Sequence, residues 1–225
     1  MRQLIAYLVC IAVAAIVTLA FTPREVQSVA ETALNTDRMQ INGLLNLGQR
    51  QVAVGERGTI LISDDRGHSW QQASVQPQRQ ISLTALTALN AEQLIAVGQD
   101  GLILRSSDGG SSWLEVQYEP DAGEPLLGVW AAGGEQVFVF GSYGKFYQSD
   151  DAGHSWRAVA LEVDRSHLNA MDGGNDGRRM LVGEQGLVMR SADNGQHWQQ
   201  LASFYNGSLF GVVRLSAQRW VTYGM

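Results

Sequence analysis

The 225-residue chain is short of several things, and each shortage closes off a class of protein. It has a single cysteine, Cys10, so no disulfide forms within the chain and folding does not wait on oxidation. Four prolines stand against 25 glycines, and hydrophobic residues make up 45%, the composition of a turn-rich globular chain. There is one lysine, Lys145, no run of Lys or Arg, and a formal net charge of −6. Such a surface offers no general attraction to nucleic-acid phosphates or anionic lipid, and nucleic-acid binding is set aside. Histidine is scarce too. His68, His154 and His197 recur at matching places in a repeat and His167 stands by itself. Side chains spread in this way do not converge on a metal ion at ~2.0–2.3 Å. Every Gly-x-x-Gly joins two strand-like runs and opens no helix, so no phosphate-binding loop is present. Neither a metal nor a cofactor is expected.

What the chain does have begins with an apolar run. Leu4 to Phe21, "LIAYLVCIAVAAIVTLAF", carries no charge, follows Arg2 and precedes "TPRE". Eighteen residues reach the lower limit for a membrane-spanning helix, about 17 residues, and exceed a signal-peptide core of about 7–15. An uncleaved signal anchor and a signal peptide cleaved after the Thr18/Ala20 pair both remain open. Lipidation of Cys10 is disfavoured, because Val9 stands where a small residue is required. Arg2 and the terminal amine hold the N-terminus in the cytoplasm and send the rest across, in a bacterium to the periplasm. The expected division is 1–21 anchor or signal, 22–40 linker and 41–225 repeats.

The repeats announce themselves in eight residues. Ser-x-Asp-x-Gly-x-x-Trp occurs as "SDDRGHSW" (63–70), "SSDGGSSW" (106–113), "SDDAGHSW" (149–156) and "SADNGQHW" (191–198). Its tryptophans, Trp70, Trp113, Trp156 and Trp198, lie 43, 43 and 42 residues apart. Gly-x-x-Gly keeps the same beat at 55–58, 98–101, 141–144 and 183–186, with a fifth begun at Gly224. Apolar runs such as "LIAV" and "LILR" flank each of these, and a further run precedes each pair, as in "LTALTAL" (83–89). Short β-rich runs joined by glycine turns read as hairpins. Each unit is thus inner strand, middle strand, glycine turn, third strand, Asp-containing turn and a Trp-bearing outer strand. Four strands every 40–45 residues or so is the signature of a β-propeller blade, with a solenoid the other architecture of that period.

The eight-residue phrase explains itself structurally. Asp65, Asp108, Asp151 and Asp193 accept hydrogen bonds from backbone N–H groups of their own turn, entered from Ser63, Ser106, Ser149 and Ser191. Gly67, Gly110, Gly153 and Gly195 take the positive-φ position. The tryptophans bury their rings between neighbouring sheets, at a cost of about 3–5 kcal/mol on change to alanine. No catalysis is needed to account for the motif.

Four such copies over residues 41–225 resemble the Asp-box, or BNR, repeat. The pairing of "AVGxxGxILxSxDxGxSW" with a secretory N-terminus is similar to the photosystem II stability/assembly factor-like propellers. That resemblance implies an all-β propeller and a non-enzymatic assembly or accessory factor for a membrane protein complex. The partner is a photosystem component or, in a non-photosynthetic bacterium, an inner-membrane transporter. It implies a protein anchored in the inner membrane with its propeller in the periplasm, or released there. Because the fifth unit breaks off at "RWVTYGM", about four and a half blades are expected, as a piece of a six- or seven-bladed ring.

Asp-box sialidases need three arginines for a substrate carboxylate, a Tyr–Glu pair and an acid Asp, and no Arg-Ile-Pro element is present. Glycan binding is the milder form of the same alternative. Arg57, Arg105 and Arg190 are either solvated strand ends or a basic patch that accepts an acidic segment of a partner. Trp130, Phe138, Phe140, Phe146 and Tyr147 fit the buried faces of the third repeat. "EPDAGEP" (119–125) and "DGGNDGRR" (172–179) read as solvated connections.

Overall fold

A computed structural model describes residues 39–225, together with Tyr7 and Val13. Those two apart, the apolar run and residues 22–38 of the linker fall outside the described residues. Among the described residues no helix is long and apolar enough to cross a membrane. Among the described residues nineteen strands are formed, with short 3₁₀ turns between some of them.

The first blade is β1 (Ile41–Leu47), β2 (Arg50–Gly55), β3 (Ile60–Ser63) and β4 (Gln71–Gln72), paired in that order. Next comes β5 (Ser74–Gln76), then the second blade, β6 (Leu83–Ala88), β7 (Leu94–Gly98), β8 (Ile103–Ser106) and β9 (Ser112–Gln117). The third is β10 (Leu126–Ala131), β11 (Val137–Gly141), β12 (Phe146–Ser149) and β13 (Arg157–Ala158). The fourth is β14 (Leu168–Gly173), β15 (Arg179–Gly183), β16 (Val188–Ser191) and β17 (Gln199–Gln200). A two-stranded sheet, β18 (Leu209–Arg214) and β19 (Trp220–Gly224), follows. This is the expected all-β series of four-stranded blades, four complete and one begun.

Two details depart from expectation. Only β9 contains its tryptophan; β4, β13 and β17 are two residues long and start after theirs. The Asp-box turn fixes the indole before the strand begins, so pairing resumes one residue later. In addition, β5 adds a fifth strand to the second blade, parallel to β9, with Val75 opposite Trp113.

The core lies between blades. Val52, Val54 and Ile62 of the first pack against Leu94, Leu104 and Trp113 of the second. Ile95, Val97 and Ile103 meet Val137 and Val139, and Phe138, Phe140 and Phe146 meet Leu168, Leu181 and Met189. Met180, Val182 and Val188 meet Leu209 and Val212. Middle strands such as β11 are buried at every residue, as a strand covered on both faces must be.

Glycine is demanded where backbone crowds. A Cβ on Gly98 would fall 2.4 Å from the Ser82 carbonyl oxygen, because the start of each inner strand presses on the first glycine of its turn. The third residue of each inner strand is also small, Gly43, Ala85, Gly128, Ala170 and Gly211. At Gly128 a Cβ would sit 2.3 Å from the ring of Phe140.

Candidate functional site

Each blade has two ends. At one, the Asp-box docks on the turn between its own inner and middle strands. The amide of its fourth residue donates to that turn in every copy: Arg66 to Gln49, Gly109 to Glu92, Ala152 to Glu135, Asn194 to Gly177. At the other end lies the Gly-x-x-Gly turn, covered by the connection to the next blade.

The Asp-box is a closed hydrogen-bond circuit. The Ser63 hydroxyl donates to Asp65 Oδ1 (2.7 Å) and accepts from the Gly67 amide (2.7 Å). Asp65 Oδ1 accepts from the Ser69 amide (2.8 Å) and Oδ2 from the Ser69 hydroxyl (2.6 Å). The Trp70 indole then donates to the Gly67 carbonyl (3.1 Å). The glycines at this corner have φ of 90°, 90°, 81° and 82°. Serine therefore relays between aspartate and glycine, a role beyond entering the turn. In the fourth copy His197 replaces the second serine, with Nδ1 2.6 Å from Asp193 Oδ2. In the third, the Trp156 indole nitrogen has no partner among the described residues.

These bonds act on the carboxylates. Ser69 and Ser63 hold Asp65 far below the usual carboxylate range, and Ser155 and Ser149 do the same for Asp151. The His197 amide and ring bring Asp193 down to about 2. Burial pushes Asp108 up, but Ser112 and Ser106 outweigh it and the net shift is downward. The four aspartates belong to four separate blades and do not converge. Among the described residues no three His, Cys, Asp or Glu side chains gather closely enough to hold a metal ion.

Arginines at the box end span the seams between blades. Arg50 donates to the Asp108 and Gly109 carbonyls and to the Ser111 hydroxyl of the second blade. Arg105 donates its Nε–H to the Ala152 carbonyl (2.9 Å) of the third. Arg179, buried under Trp130 and Phe138, donates to Gln136 (2.6 Å) across the next seam. Arg214 forms a two-pronged pair with Asp176 at 2.8 and 2.6 Å, so the connection at 172–179 is bound as well as solvated.

The three arginines singled out in the sequence are not brought together. Arg105 lies in the second seam, Arg190 is exposed near the box end of the fourth blade, and Arg57 is exposed at the opposite end of the first.

The turn end differs in kind. Each Gly-x-x-Gly closes a single 3₁₀ turn, with the fourth residue's successor donating back, as Thr59 does to Glu56 (3.0 Å). The third residue of each turn, Arg57, Asp100, Tyr143 or Gln185, has a φ of 54° or 55°. Such left-handed backbone is uncommon for a non-glycine residue and costs of order 1 kcal/mol. One backbone position thus presents four chemically unlike side chains. Tyr143, half exposed, carries the ring of His167 at its edge (4.9 Å) and the guanidinium of Arg165 over it (5.3 Å). Arg165 is itself left-handed, at φ 53°. Nearby Glu119 accepts from Lys145 (2.8 Å) and the Tyr147 hydroxyl (2.8 Å), with Glu124 3.5 Å from the same ammonium. The 119–125 connection is therefore tied to the third blade through the one lysine.

Repeated four-stranded antiparallel sheets, each closed by this Ser–Asp–Trp corner, define an Asp-box β-propeller. The family described as "Photosynthesis system II assembly factor YCF48" matches residues 28–178, more than half of the chain, and the chain belongs to it. A solved structure described as YCF48 from Cyanidioschyzon merolae is 16% identical over 78% of this chain and 60% of its own, with a TM-score of 0.58. An ancestral GH74 enzyme is 15% identical over 77% of this chain and 26% of its own, TM-score 0.62. At such identities the likeness is one of fold alone. A structure described as YCF48 bound to D1 peptide gives 14% identity over 82% and 90% of the two chains, TM-score 0.47. No curated protein matches.

Proposed function

We propose that the chain is a non-enzymatic binding and assembly factor that recognises a segment of a membrane protein or of its assembly intermediate through the turn end of the propeller. The apolar run at 4–21 tethers it to the inner membrane, or exports it, so that the propeller works in the periplasm. The observation that carries this reading is the display of Arg57, Asp100, Tyr143 and Gln185 from one repeated backbone position. Family membership supports the assembly role.

The mechanism is recognition by a rigid frame. Strain at the tips is held in place by the paired strands beneath, so little backbone freedom remains to be lost on binding. Tyr143 offers a large amphipathic surface with a cation stacked on it, the residue types that dominate interface energetics. Arg57 extends the same end with an exposed charge, and Arg190 faces away from it.

The test is capture from detergent-solubilised membranes by the intact chain, beside a variant carrying Arg57→Glu and Tyr143→Ala. Reproducible recovery of one membrane protein by the parent, reduced about tenfold or more in the variant, supports the reading. Equal recovery by both, or none by either, overturns it. Turnover of a glycoside substrate by the parent would replace recognition with the carbohydrate reading.

A further inference from the structure

The connections between blades begin alike and then diverge. The third residue after the box tryptophan donates to the blade it leaves, Ala73 to Ile60 and Val159 to Phe146, both at 2.9 Å. From Ala73 the chain crosses to the second blade as β5, and Ser74, Val75 and Gln76 pair with Ser112, Trp113 and Leu114 of β9. Counted from the tryptophans, the same register between the third and fourth blades sets Ala160, Leu161 and Glu162 against His197, Trp198 and Gln199. Among the described residues that pairing is not made. A cavity of about 350 Å³ stands there instead, lined by Ala160, Leu161 and Glu162 of the connection and by His197, Trp198 and Gln200 of the fourth blade.

Chain length accounts for the difference. Each connection ends on a residue fixed by the following turn, the Ser82 carbonyl accepting from Gln99 (3.0 Å) and that of His167 from Glu184 (3.1 Å). Each also bends two residues earlier at a left-handed residue, Gln80 at φ 58° and Arg165 at φ 53°. Gln76 stands four residues before its bend, whereas Glu162 stands three before Arg165. The third connection is one residue short, and an extended residue advances about 3.3 Å. It therefore cannot reach the edge of the fourth blade and keep the bend at Arg165. In this structure it keeps the bend. The Val163 amide donates to Leu161 and the Arg165 amide to Val163, both at 2.9 Å, and the guanidinium of Arg165 lies 5.3 Å over the ring of Tyr143.

We propose that residues 160–165 are a strap with two seats, and that seating it as a strand beside the fourth blade withdraws Arg165 from Tyr143. In the second seat 160–162 pair with 197–199 and Leu161 closes over the cavity, as Val75 closes on the cluster around Trp113. Straightening 163–165 recovers the missing length. Opposing costs keep both seats within reach: alanine and glutamate are poor strand residues, which disfavours closure, and the left-handed Arg165 disfavours the open seat. The strap thereby switches a cation of the turn end between presented and withdrawn. Closure stands on the two connections alone, and its consequence for recognition rests on the reading above.

The test is a disulfide trap in the intact 225-residue chain carrying Cys10→Ser. Glu162→Cys with Gln199→Cys sets two thiols at the closed register, where neighbouring strands lie ~4.8 Å apart, within disulfide reach. Gln76→Cys with Leu114→Cys marks the register already formed, and Glu162→Cys with Gln196→Cys is out of register. Mild oxidation is expected to link the closed pair more slowly than the formed pair and ahead of the out-of-register one. The ring resonance of Tyr143, assigned by its loss in Tyr143→Phe, should shift on linking and return on reduction. One glycine inserted after Val163 supplies the missing residue, so linking should quicken and the Tyr143 resonance should no longer follow it. The linked form should lose membrane-protein capture until it is reduced. No linking, or linking without preference for position 199, overturns the strap. Linking with an unmoved Tyr143 resonance, or with capture unchanged, overturns the switch. Capture that already fails in the parent counts against the recognition reading, and the trap and the ring resonance then decide the strap.

Discussion

Asn42 donates its side-chain amide to the carbonyl oxygen of Leu83, 2.7 Å away in the inner strand of the next blade. Thr84 donates its hydroxyl to the Leu126 carbonyl (2.6 Å), and Asn169 its side-chain amide to that of Leu209 (2.9 Å). All three are second residues of inner strands, where the register shifts by one residue in each pairing. A bulge re-aims the side chain at the point where it occurs. Here it turns a residue that would face its own sheet toward the neighbour, and the inner strands become laced.

Leu127 stands at the same bulge in the third blade, and among the described residues no such bond links the inner strands of the third and fourth blades. Leu127→Asn is expected to raise stability by about 1 kcal/mol, the net worth of one hydrogen bond. Asn169→Leu should lower it by a similar amount. Urea midpoints at constant m-value read both. A loss from Leu127→Asn together with no change from Asn169→Leu would remove the lacing as a source of stability.

Acid should loosen the molecule through the Asp-boxes. Asp65, Asp108, Asp151 and Asp193 all titrate lower folded than their ordinary value of about 3.9. A carboxylate depressed in the native state adds stability that is fully present above its unfolded pKa and is lost as pH falls through the folded one. The melting temperature should therefore hold level near neutrality and fall below about pH 4, continuing toward pH 2 and beyond. Asp151→Asn keeps one acceptor but loses the charge. It should lower stability at pH 7 and flatten the acid limb. An acid limb of unchanged steepness in Asp151→Asn would place the sensitivity elsewhere.

The tryptophans should not be equal. Trp113 is fully buried between the first two blades, whereas Trp70 is half-buried and belongs to no inter-blade cluster among the described residues. Trp113→Ala is expected to cost about 3–5 kcal/mol, and Trp70→Ala clearly less, since fewer atoms lose a packed neighbour. Equal shifts in denaturation midpoint would mean that Trp70 packs as tightly as Trp113.

How much of this was written in the sequence depends on the kind of interaction. The repeat was legible because glycine, aspartate and tryptophan are each forced by one local geometry, at one fixed spacing. The lacing was not, because asparagine, threonine, leucine and phenylalanine alternate at positions 42, 84, 127, 169 and 210 and show no motif. Arg105 read as a surface charge because the Ala152 carbonyl it holds lies 47 residues on, in another blade. His167 read as solitary for the same reason, its partner Tyr143 being presented by a different blade's turn. Contacts across seams leave no local signature, whereas contacts within a turn do.

The turn tips allow stability and recognition to be separated. Gln185 and Tyr143 share a left-handed backbone, at φ 54° and 55°. Relieving that conformation with glycine is worth roughly 1 kcal/mol at a site without compensating contacts. Gln185 makes no side-chain hydrogen bond among the described residues, so Gln185→Gly should raise the melting temperature. Tyr143→Gly gains the same relief but gives up the Arg165 stack and the His167 edge contact, each worth about 0.5–1 kcal/mol. Its stability should stay near that of the parent. If Tyr143 anchors the partner, membrane-protein recovery falls most in Tyr143→Gly at unchanged melting temperature, and falls less in Gln185→Gly at a higher one. Recovery that simply follows melting temperature across both variants would show that the tips contribute rigidity and nothing to recognition.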